Sequence, residues 1–316
     1  MRALSRLLAA LSVVIGISGP AAADTLQVVA TTGMIADAAR VVGGEAVEIR
    51  ALMGPGVDPH AYRVTRTDIV AMARADIVLW HGLFLEAQME RFLDELAAEK
   101  PVVAVAEALP ATSLLGHDDY ADKKDPHVWM DPTLWSGVVL SVRDALSGVA
   151  PDHAEVFAAN AESYIAELDA LAEYTANVLA SVPENARVLV TAHDAFNYFG
   201  TAYGFEVMGI QGISTESEAG LKRVADLVDV LVDRDVAAVF VETSVSDRNV
   251  RALIEGAAAR GHTVTIGGAL FSDAMGTPGT YEGTYMGMID HNATLIARAL
   301  GGQAPDGGMS DRLSIN

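Results

Sequence analysis

The middle of the chain is helix-forming without interruption, and this constrains the fold more than any other feature. The stretch runs PDHAEVFAANAESYIAELDALAEYTANVLASVP, residues 151–183, with Pro151 suited to the first helical position and Pro183 just past the last one. Its apolar side chains recur at spacings of three, four and seven residues and form one stripe: Phe157, Tyr164, Leu168, Leu171 and Val178. At about 1.5 Å per residue such a helix is on the order of 45 Å long, enough to run the length of two lobes and hold them nearly fixed.

Strand and helix patterns alternate on both sides of this stretch. Short apolar runs rich in Val and Ile indicate strands at 26–31, 47–52, 76–80 and 101–105 before it, and at 187–192, 205–210, 237–242 and 263–267 after it. Amphipathic patterns indicate helices at 33–42, 65–74, 85–98, 195–203, 217–233, 247–260 and 283–300. Such alternation is typical of parallel sheets flanked by helices.

We therefore predict an α/β protein with two (β/α)4-type lobes, each built on a parallel sheet, joined by one long rigid helix. The predicted boundaries are 24–150 for the first lobe, 151–183 for the linking helix and 184–316 for the second lobe. A chain with 51% hydrophobic residues has ample material for both cores. Ligands of open α/β sheets bind beyond the carboxyl ends of the strands, so we expect a site in the cleft between the lobes.

The first 23 residues have the pattern of a cleavable secretory signal. Arg2 and Arg6 precede an apolar run, a helix-breaking Gly-Pro follows, and Ala21–Ala23 form a small-x-small cleavage site before Asp24. A membrane anchor is the alternative, but the apolar run is too short to span a bilayer. The chain has no cysteine, so we expect neither disulfides nor a lipid-anchoring cysteine. These features predict cleavage after Ala23 and export to a bacterial periplasm.

The chain is strongly acidic. Removal of the signal takes away two arginines, so 19 of the 21 basic residues remain against 42 acidic ones. The net charge of the mature chain is then about −23. This charge disfavours nucleic acids and anionic membrane surfaces as partners and suits a cationic ligand. Solubility alone would also account for it.

Several polar residues follow predicted strands and are candidates for one site. His60 and His127 lie in loops after strands of the first lobe, His193 directly follows a strand of the second, and Asp273 follows the last strand by a few residues. Three imidazoles and one carboxylate are an ordinary four-ligand set for a divalent transition metal. A single histidine after a strand is more often a cap, and spacing alone leaves metal binding and ordinary polar roles about equal. Glu242, at the end of a strand, is the other candidate nearby.

Two of these histidines stand in a repeated motif. DPHAY occupies residues 58–62 and DPHVWMDP occupies 125–132. Proline fixes the backbone just before each histidine, and the neighbouring aspartate suits orientation of the loop or a second layer around a metal. Asp131 and Pro132 are better interpreted as the N-cap and first residue of the next helix.

Other motifs are absent or weaker. Phosphate-binding glycine patterns, a G-x-S-x-G elbow and an H-E-x-x-H motif do not occur in the sequence, so a nucleotide is not expected. His81 ends a strand and is expected to line the cleft or support a ligand. The tryptophans are expected in the core or between the lobes: Trp80, Trp129 and Trp135.

Four separated motifs together resemble the metal-specific solute-binding proteins of bacterial ABC importers, the zinc and manganese receptor family (cluster A-I). They are DPHAY, DPHVWMDP, TAHDAFNYFGTAYGFEVMGIQGISTESE and IGGALFSDAMGTPGTYEGTYMGM, and the likeness covers essentially the whole mature chain. The resemblance implies two four-stranded lobes, a rigid linking helix and one metal ion buried between the lobes. The family's ligand positions correspond to His60, His127, His193 and Asp273. It also implies an ABC permease and ATPase of the inner membrane as partners, with the receptor a monomer.

The choice of metal remains open between zinc and manganese. Manganese receptors of this family often have glutamate where this chain has His193, and many zinc receptors have a long histidine-rich loop where this chain has a short acidic one containing only His117. Three histidines and a carboxylate favour zinc. A bidentate Asp273 would raise the coordination number and admit manganese.

Two functions of different class fit these residues. The first is a periplasmic receptor that captures Zn²⁺ or Mn²⁺ for import and has no enzymatic activity. The second is a secreted zinc-dependent hydrolase that uses the same ligands. A catalytic zinc needs an open position and a nearby base, for which only Glu242 is placed. The closed four-ligand set therefore favours the receptor.

Overall fold

The computed structural model describes residues 25–116, 123–217 and 219–313. The predicted secretory signal at 1–23 and His117 lie outside these residues. Within the described ranges, no helix combines the length and the apolar character that a membrane span requires.

The first part of the chain forms one four-stranded parallel sheet in the order β2-β1-β3-β4. Its strands are β1 (Leu26–Ala30), β2 (Val47–Ala51), β3 (Ile77–Trp80) and β4 (Val102–Ala104). Its helices are α1 (Gly33–Gly43), α2 (Arg66–Arg74), α3 (Glu90–Ala97) and α4 (Pro132–Val149). β1 and β2 pair in register from Leu26 opposite Val47 to Ala30 opposite Ala51. We call these elements the first lobe.

The described residues after α5 form four more strands and four helices, which we call the second lobe. Its strands are β5 (Val188–Thr191), β6 (Glu206–Gly209), β7 (Ala238–Glu242) and β8 (Thr265–Leu270). Its helices are α6 (Asn197–Tyr203), α7 (Leu221–Asp233), α8 (Arg248–Ala259) and α9 (Tyr285–Ala299). The α/β class with parallel strands is confirmed.

Strand pairing in the second lobe differs from the predicted single sheet. The described ladders are two parallel pairs, β5–β6 and β7–β8, with β5 lying beside β7. The order is therefore that of the first lobe, but the ladder is split in the middle. The register of β7 and β8 shifts at Val239/Phe240, where Gly267 is the extra residue. Such a bulge increases local twist, which works against one regular ladder across four strands.

The linking helix is α5 (Ala154–Ala180), preceded by a 3-10 turn at Pro151–His153. Its buried face includes the five residues of the predicted stripe. α5 packs against α1 and α4 of the first lobe and α9 of the second. One continuous hydrophobic core therefore runs through both lobes, with α5 at its centre.

Two local predictions have different outcomes. α4 begins as expected, with Asp131 Oδ1 accepting from Thr133 N at 2.9 Å and Pro132 in the first turn. The helix predicted from residue 85 begins only at Glu90, and it follows a series of turns that includes positive φ at residues 82–84.

Candidate metal centre

Four side chains from four separate loops converge between the two lobes. His60 follows β2, His127 follows β4 by a longer loop, His193 follows β5 and Asp273 follows β8. One nitrogen or oxygen atom of each lies within 4.8 Å of the corresponding atoms of the others. All four residues are buried, with at most 3% of any one exposed. The structure thus brings together the four residues that the sequence singled out.

The spacing of these atoms suits one metal ion. Nε2 of His60 lies 3.3 Å from Nε2 of His127, Nε2 of His193 lies 3.2 Å from Oδ2 of Asp273, and Nε2 of His127 lies 3.5 Å from Oδ1 of Asp273. Two ligand atoms about 2.0–2.1 Å from a zinc ion at a tetrahedral angle are about 3.3 Å apart. The cluster therefore needs little rearrangement to coordinate an ion.

Three polar atoms of the cluster also have no hydrogen-bonding role among the described residues. His193 Nε2 and both carboxylate oxygens of Asp273 are buried and lack a hydrogen-bond partner among the described residues. Burying polar groups without partners costs free energy, and such atoms in a folded protein call for an explanation. A coordinated cation would satisfy all three.

The two Asp-Pro-His motifs share one hydrogen-bonding arrangement. Oδ1 of Asp58 accepts from His60 N, and Oδ1 of Asp125 accepts from His127 N, each at 2.9 Å. The second oxygen of each aspartate reaches the other lobe. Oδ2 of Asp58 accepts from Thr215 Oγ1, and Oδ2 of Asp125 accepts from Asn197 Nδ2 at 3.1 Å. Each motif therefore shapes its own loop and fastens that loop across the cleft.

Carboxylates behind two of the histidines fix their ring orientation. His127 Nδ1 donates to Asp125 Oδ1 at 2.7 Å. His193 Nδ1 donates to Glu242 Oε2, and His193 N donates to Glu242 Oε1 at 2.8 Å. Because Nδ1 donates in both rings, Nε2 is the nitrogen of each ring that faces the cluster and would donate its electron pair to a bound metal. Glu242 thus lies behind a ligand candidate, with both oxygens engaged by it.

His81 supports the second Asp-Pro-His motif by binding its backbone. Its Nε2 lies 2.7 Å from the carbonyl oxygen of Pro126, and the ring is fully buried. Burial lowers the pKa of His81 to about 3, so the ring is neutral and donates from Nε2. His81 therefore holds the backbone beside His127 and does not join the cluster.

The pKa values of the cluster residues shift in different directions. Burial lowers the pKa of His60 to about 3, although the nearby Asp273 opposes the shift. Burial also acts to lower the pKa of His193, but the carboxylates of Asp273 and Glu242 hold it well above its ordinary value. Burial acts to raise the pKa of Asp273, yet the neighbouring histidines, His193 foremost, keep it far below its usual range. Near neutral pH a binding cation must therefore displace a proton from His193.

Glu242→Gln is expected to weaken divalent metal binding by about 10–100-fold, because His193 loses the charged partner that orients it. Competition with a chelator at pH 7.5 measures the dissociation constant. Glu162→Gln, the same change on the exposed face of α5, is the matched control and should leave it unchanged. Equal constants for both variants and the unmodified protein would contradict the role assigned to Glu242.

Sequence reasoning did not identify the residues that fasten the ligand loops from the opposite lobe. Thr215, Asn197 and the indole of Trp129 all act in this way. Trp129 was expected in the core or between the lobes, and it occupies both. Neither Thr215 nor Asn197 ends a strand or stands in an Asp-Pro-His repeat, and each meets its partner only in the folded chain.

The chain is similar to known metal-binding proteins over most of its length. A family model described as "Zinc-uptake complex component A periplasmic" matches residues 28–299. The manganese-binding lipoprotein MntA of Bacillus subtilis is 48% identical over 283 residues, covering 90% of this chain and 92% of that protein. The zinc-binding protein TroA of Treponema pallidum is 45% identical over 284 residues, with the same two coverages.

The fold is similar to that of solved structures as well. The periplasmic zinc-binding protein TroA from Treponema pallidum superposes with a TM-score of 0.85 at 44% identity, covering 87% of this chain and 99% of that one. All four residues of the cluster fall within the range that the family model matches.

Proposed function

The chain belongs to the family of the periplasmic zinc-uptake complex component A, and from this premise we propose that it captures one divalent transition metal ion between its lobes and delivers it to the permease of an ABC importer. The observation that carries the proposal is the buried cluster of four ligand residues, in which His193 Nε2 and both oxygens of Asp273 lack a hydrogen-bond partner among the described residues. We propose Nε2 of His60, His127 and His193 and the carboxylate of Asp273 as the ligands.

Zinc is the favoured cargo, with manganese close behind. Three imidazole nitrogens suit zinc in ligand type and in tetrahedral geometry. Neither oxygen of Asp273 has a hydrogen-bond partner within the part of the chain that the structure describes, however, and bidentate coordination would give the higher coordination number that suits manganese. Similarity does not decide between them, because the manganese-binding MntA and the zinc-binding TroA are almost equally related to this chain.

The family and the N-terminal sequence support a proposal for the partners and the location. Receptors of this family work with a membrane permease and its ATPase. For this chain we propose that residues 1–23 are removed after Ala23 and that the mature protein, with lobes at 24–150 and 184–316 and a linking helix at 151–183, acts as a periplasmic monomer.

A hydrolytic role for the same cluster has less support. Four protein ligands leave no open position for a reacting water, and Glu242 is the only candidate base that the sequence suggested. Both oxygens of that carboxylate bind His193, so it does not face a substrate position. Family members are transport proteins, and we propose that this chain too binds and releases its ion without chemistry.

Competition titration of metal-free protein with Zn²⁺ and with Mn²⁺ tests the proposal. We expect one ion per chain, with Zn²⁺ bound more tightly because imidazole-rich sites follow the general affinity order of these metals. Free metal at about 1,000 times its dissociation constant should stabilise the fold by about 4 kcal/mol. Absence of stoichiometric binding of either ion would reject the proposed function, and turnover of ester or phosphate substrates would revive the hydrolase.

A further inference from the structure

Asp273 is supported differently from the three histidines of the cluster. Among the described residues its carboxylate has no hydrogen-bond donor outside the cluster, so only the cluster itself orients the carboxylate directly. Its position depends instead on the backbone that precedes it. The side chain of Asn292 in α9 binds both backbone groups of Phe271. Phe271 N donates to Asn292 Oδ1 at 2.9 Å, and Asn292 Nδ2 donates to Phe271 O at 2.7 Å. The next carbonyl, that of Ser272, is held by the opposite lobe.

Trp129 makes that contact across the cleft. Its indole Nε1 donates to Ser272 O at 2.8 Å. Trp129 lies in a 3-10 turn (Val128–Met130) directly after His127 and is fully buried. Its ring and that of His127 pack in a T-shaped arrangement, with ring centroids 5.2 Å apart. One side chain therefore touches one ligand candidate and holds the residue next to another.

The second lobe also holds Trp129 by its backbone. Tyr285, the first residue of α9, donates its hydroxyl proton to Trp129 O at 2.7 Å. The Tyr285 ring stacks on Trp135 at 5.4 Å, with 14° between the ring planes. Trp129 is thus fixed at both its carbonyl and its indole N–H and has little freedom to move independently of the second lobe.

We propose that Trp129 is a positioning residue that sets where the Asp273 carboxylate lies between His127 and His193. The two oxygens of Asp273 already face different rings, with Oδ1 toward His127 and Oδ2 toward His193. Metal ligation tolerates errors of only about 0.2 Å in distance, so a carboxylate kept in this straddling position is ready to coordinate with both oxygens. Without the indole N–H, Ser272 O loses a buried donor and the loop of Asp273 relaxes. The inference rests on the proposed function, because it concerns the same site.

The expected consequence differs between metals. Zn²⁺ is satisfied by four ligands and keeps its binding with one Asp273 oxygen, whereas Mn²⁺ requires more oxygen ligands and depends on both. We therefore expect Trp129→Phe, which keeps an aromatic ring but removes the N–H, to raise the dissociation constant for Mn²⁺ by about 10–100-fold. The constant for Zn²⁺ should rise several-fold less, so the ratio of the two constants shifts toward zinc.

Trp135→Phe is the matched control. Trp135 is also fully buried and belongs to the same aromatic cluster, but its Nε1 has no hydrogen-bond partner among the described residues. Both substitutions remove similar ring volume, and only Trp129→Phe removes a bond across the cleft. We expect Trp135→Phe to leave the manganese-to-zinc ratio at its original value.

Titration of the unmodified protein and both variants with each metal, with melting monitored by circular dichroism, tests the inference. An unchanged ratio in Trp129→Phe, or an equal weakening of both metals in both variants, would overturn it and show that the indole only fills space. If Trp129→Phe does not fold, Tyr285→Phe decides, since it frees the Trp129 carbonyl without altering the indole. An unchanged ratio there overturns the inference, and a shift toward zinc supports it. Failure of the unmodified protein to bind either ion rejects the proposed function instead.

Discussion

His193→Ala is expected to raise the dissociation constant for Zn²⁺ by more than about 100-fold. Removal of a residue that only hydrogen-bonds to a ligand costs about 10–100-fold, and loss of the ligand itself should cost more. The substitution removes one of the proposed nitrogen ligands and leaves the buried carboxylates of Glu242 and Asp273 without the positive charge that pairs with both. Zinc would retain three protein ligands and gain a water-filled position. Competition with a chromophoric chelator at pH 7.5 measures the change.

His153→Ala provides the comparison for this variant. His153 packs against Phe157 before α5 and is not part of the cluster. The His153→Ala variant should bind Zn²⁺ as the unmodified protein does. Circular dichroism establishes that both variants are folded. A folded His193→Ala protein with unchanged affinity would exclude the assigned site.

Between pH 7.5 and 5.5 the dissociation constant for Zn²⁺ is expected to rise by at least about 100-fold, because displacement of one proton changes the affinity about tenfold per pH unit. The proton is that of His193, whose pKa Asp273 and Glu242 hold well above its ordinary value against the effect of burial. Competition by the proton is therefore present at pH 7.5 and increases as the pH falls. His60, with its pKa lowered to about 3 by burial, is neutral over the whole range and adds nothing.

Titrations at pH 7.5, 6.5 and 5.5 measure this dependence, and calorimetry in buffers of different ionisation enthalpy counts the protons released. About one proton per ion is expected near pH 7. Glu242→Gln should release fewer, since Glu242 is one of the two carboxylates that raise the pKa of His193. Equally tight binding at pH 5.5 and 7.5 would show that the ion does not displace a proton from histidine.

The sequence predicts the four cluster residues because their positions depend on a local property. Each follows a strand, strands are visible as short apolar runs, and the carboxyl ends of parallel strands meet at one edge. His193 and Asp273 could be selected in this way without knowledge of how the lobes pack. The repeated Asp-Pro-His added a second local mark for His60 and His127.

The contacts that fasten the cluster could not be predicted in the same way. Trp129 and Ser272 are separated by 143 positions, and Asp58 and Thr215 by 157. Neither pair has a shared pattern, since the partners meet only when two lobes pack. The late start of α3 and the split ladder of the second lobe have a related cause. Both depend on backbone geometry at residues 82–84 and at Gly267, which hydrophobic periodicity does not report.

The core around α5 couples opening of the cleft to loss of the contacts that hold the ion. Opening the cleft as a whole would separate α5 from α1 or α9 and expose apolar surface, and it would also break the bonds that hold Asp58, Asp125 and Ser272 across the lobes. A permease surface that binds the loosened cleft more tightly would weaken metal binding. By thermodynamic linkage, the bound ion would weaken binding of the permease by the same factor. Detachment of the ligand loops from the opposite lobe would break these same bonds while leaving the packing of α5 on α1 and α9 in place.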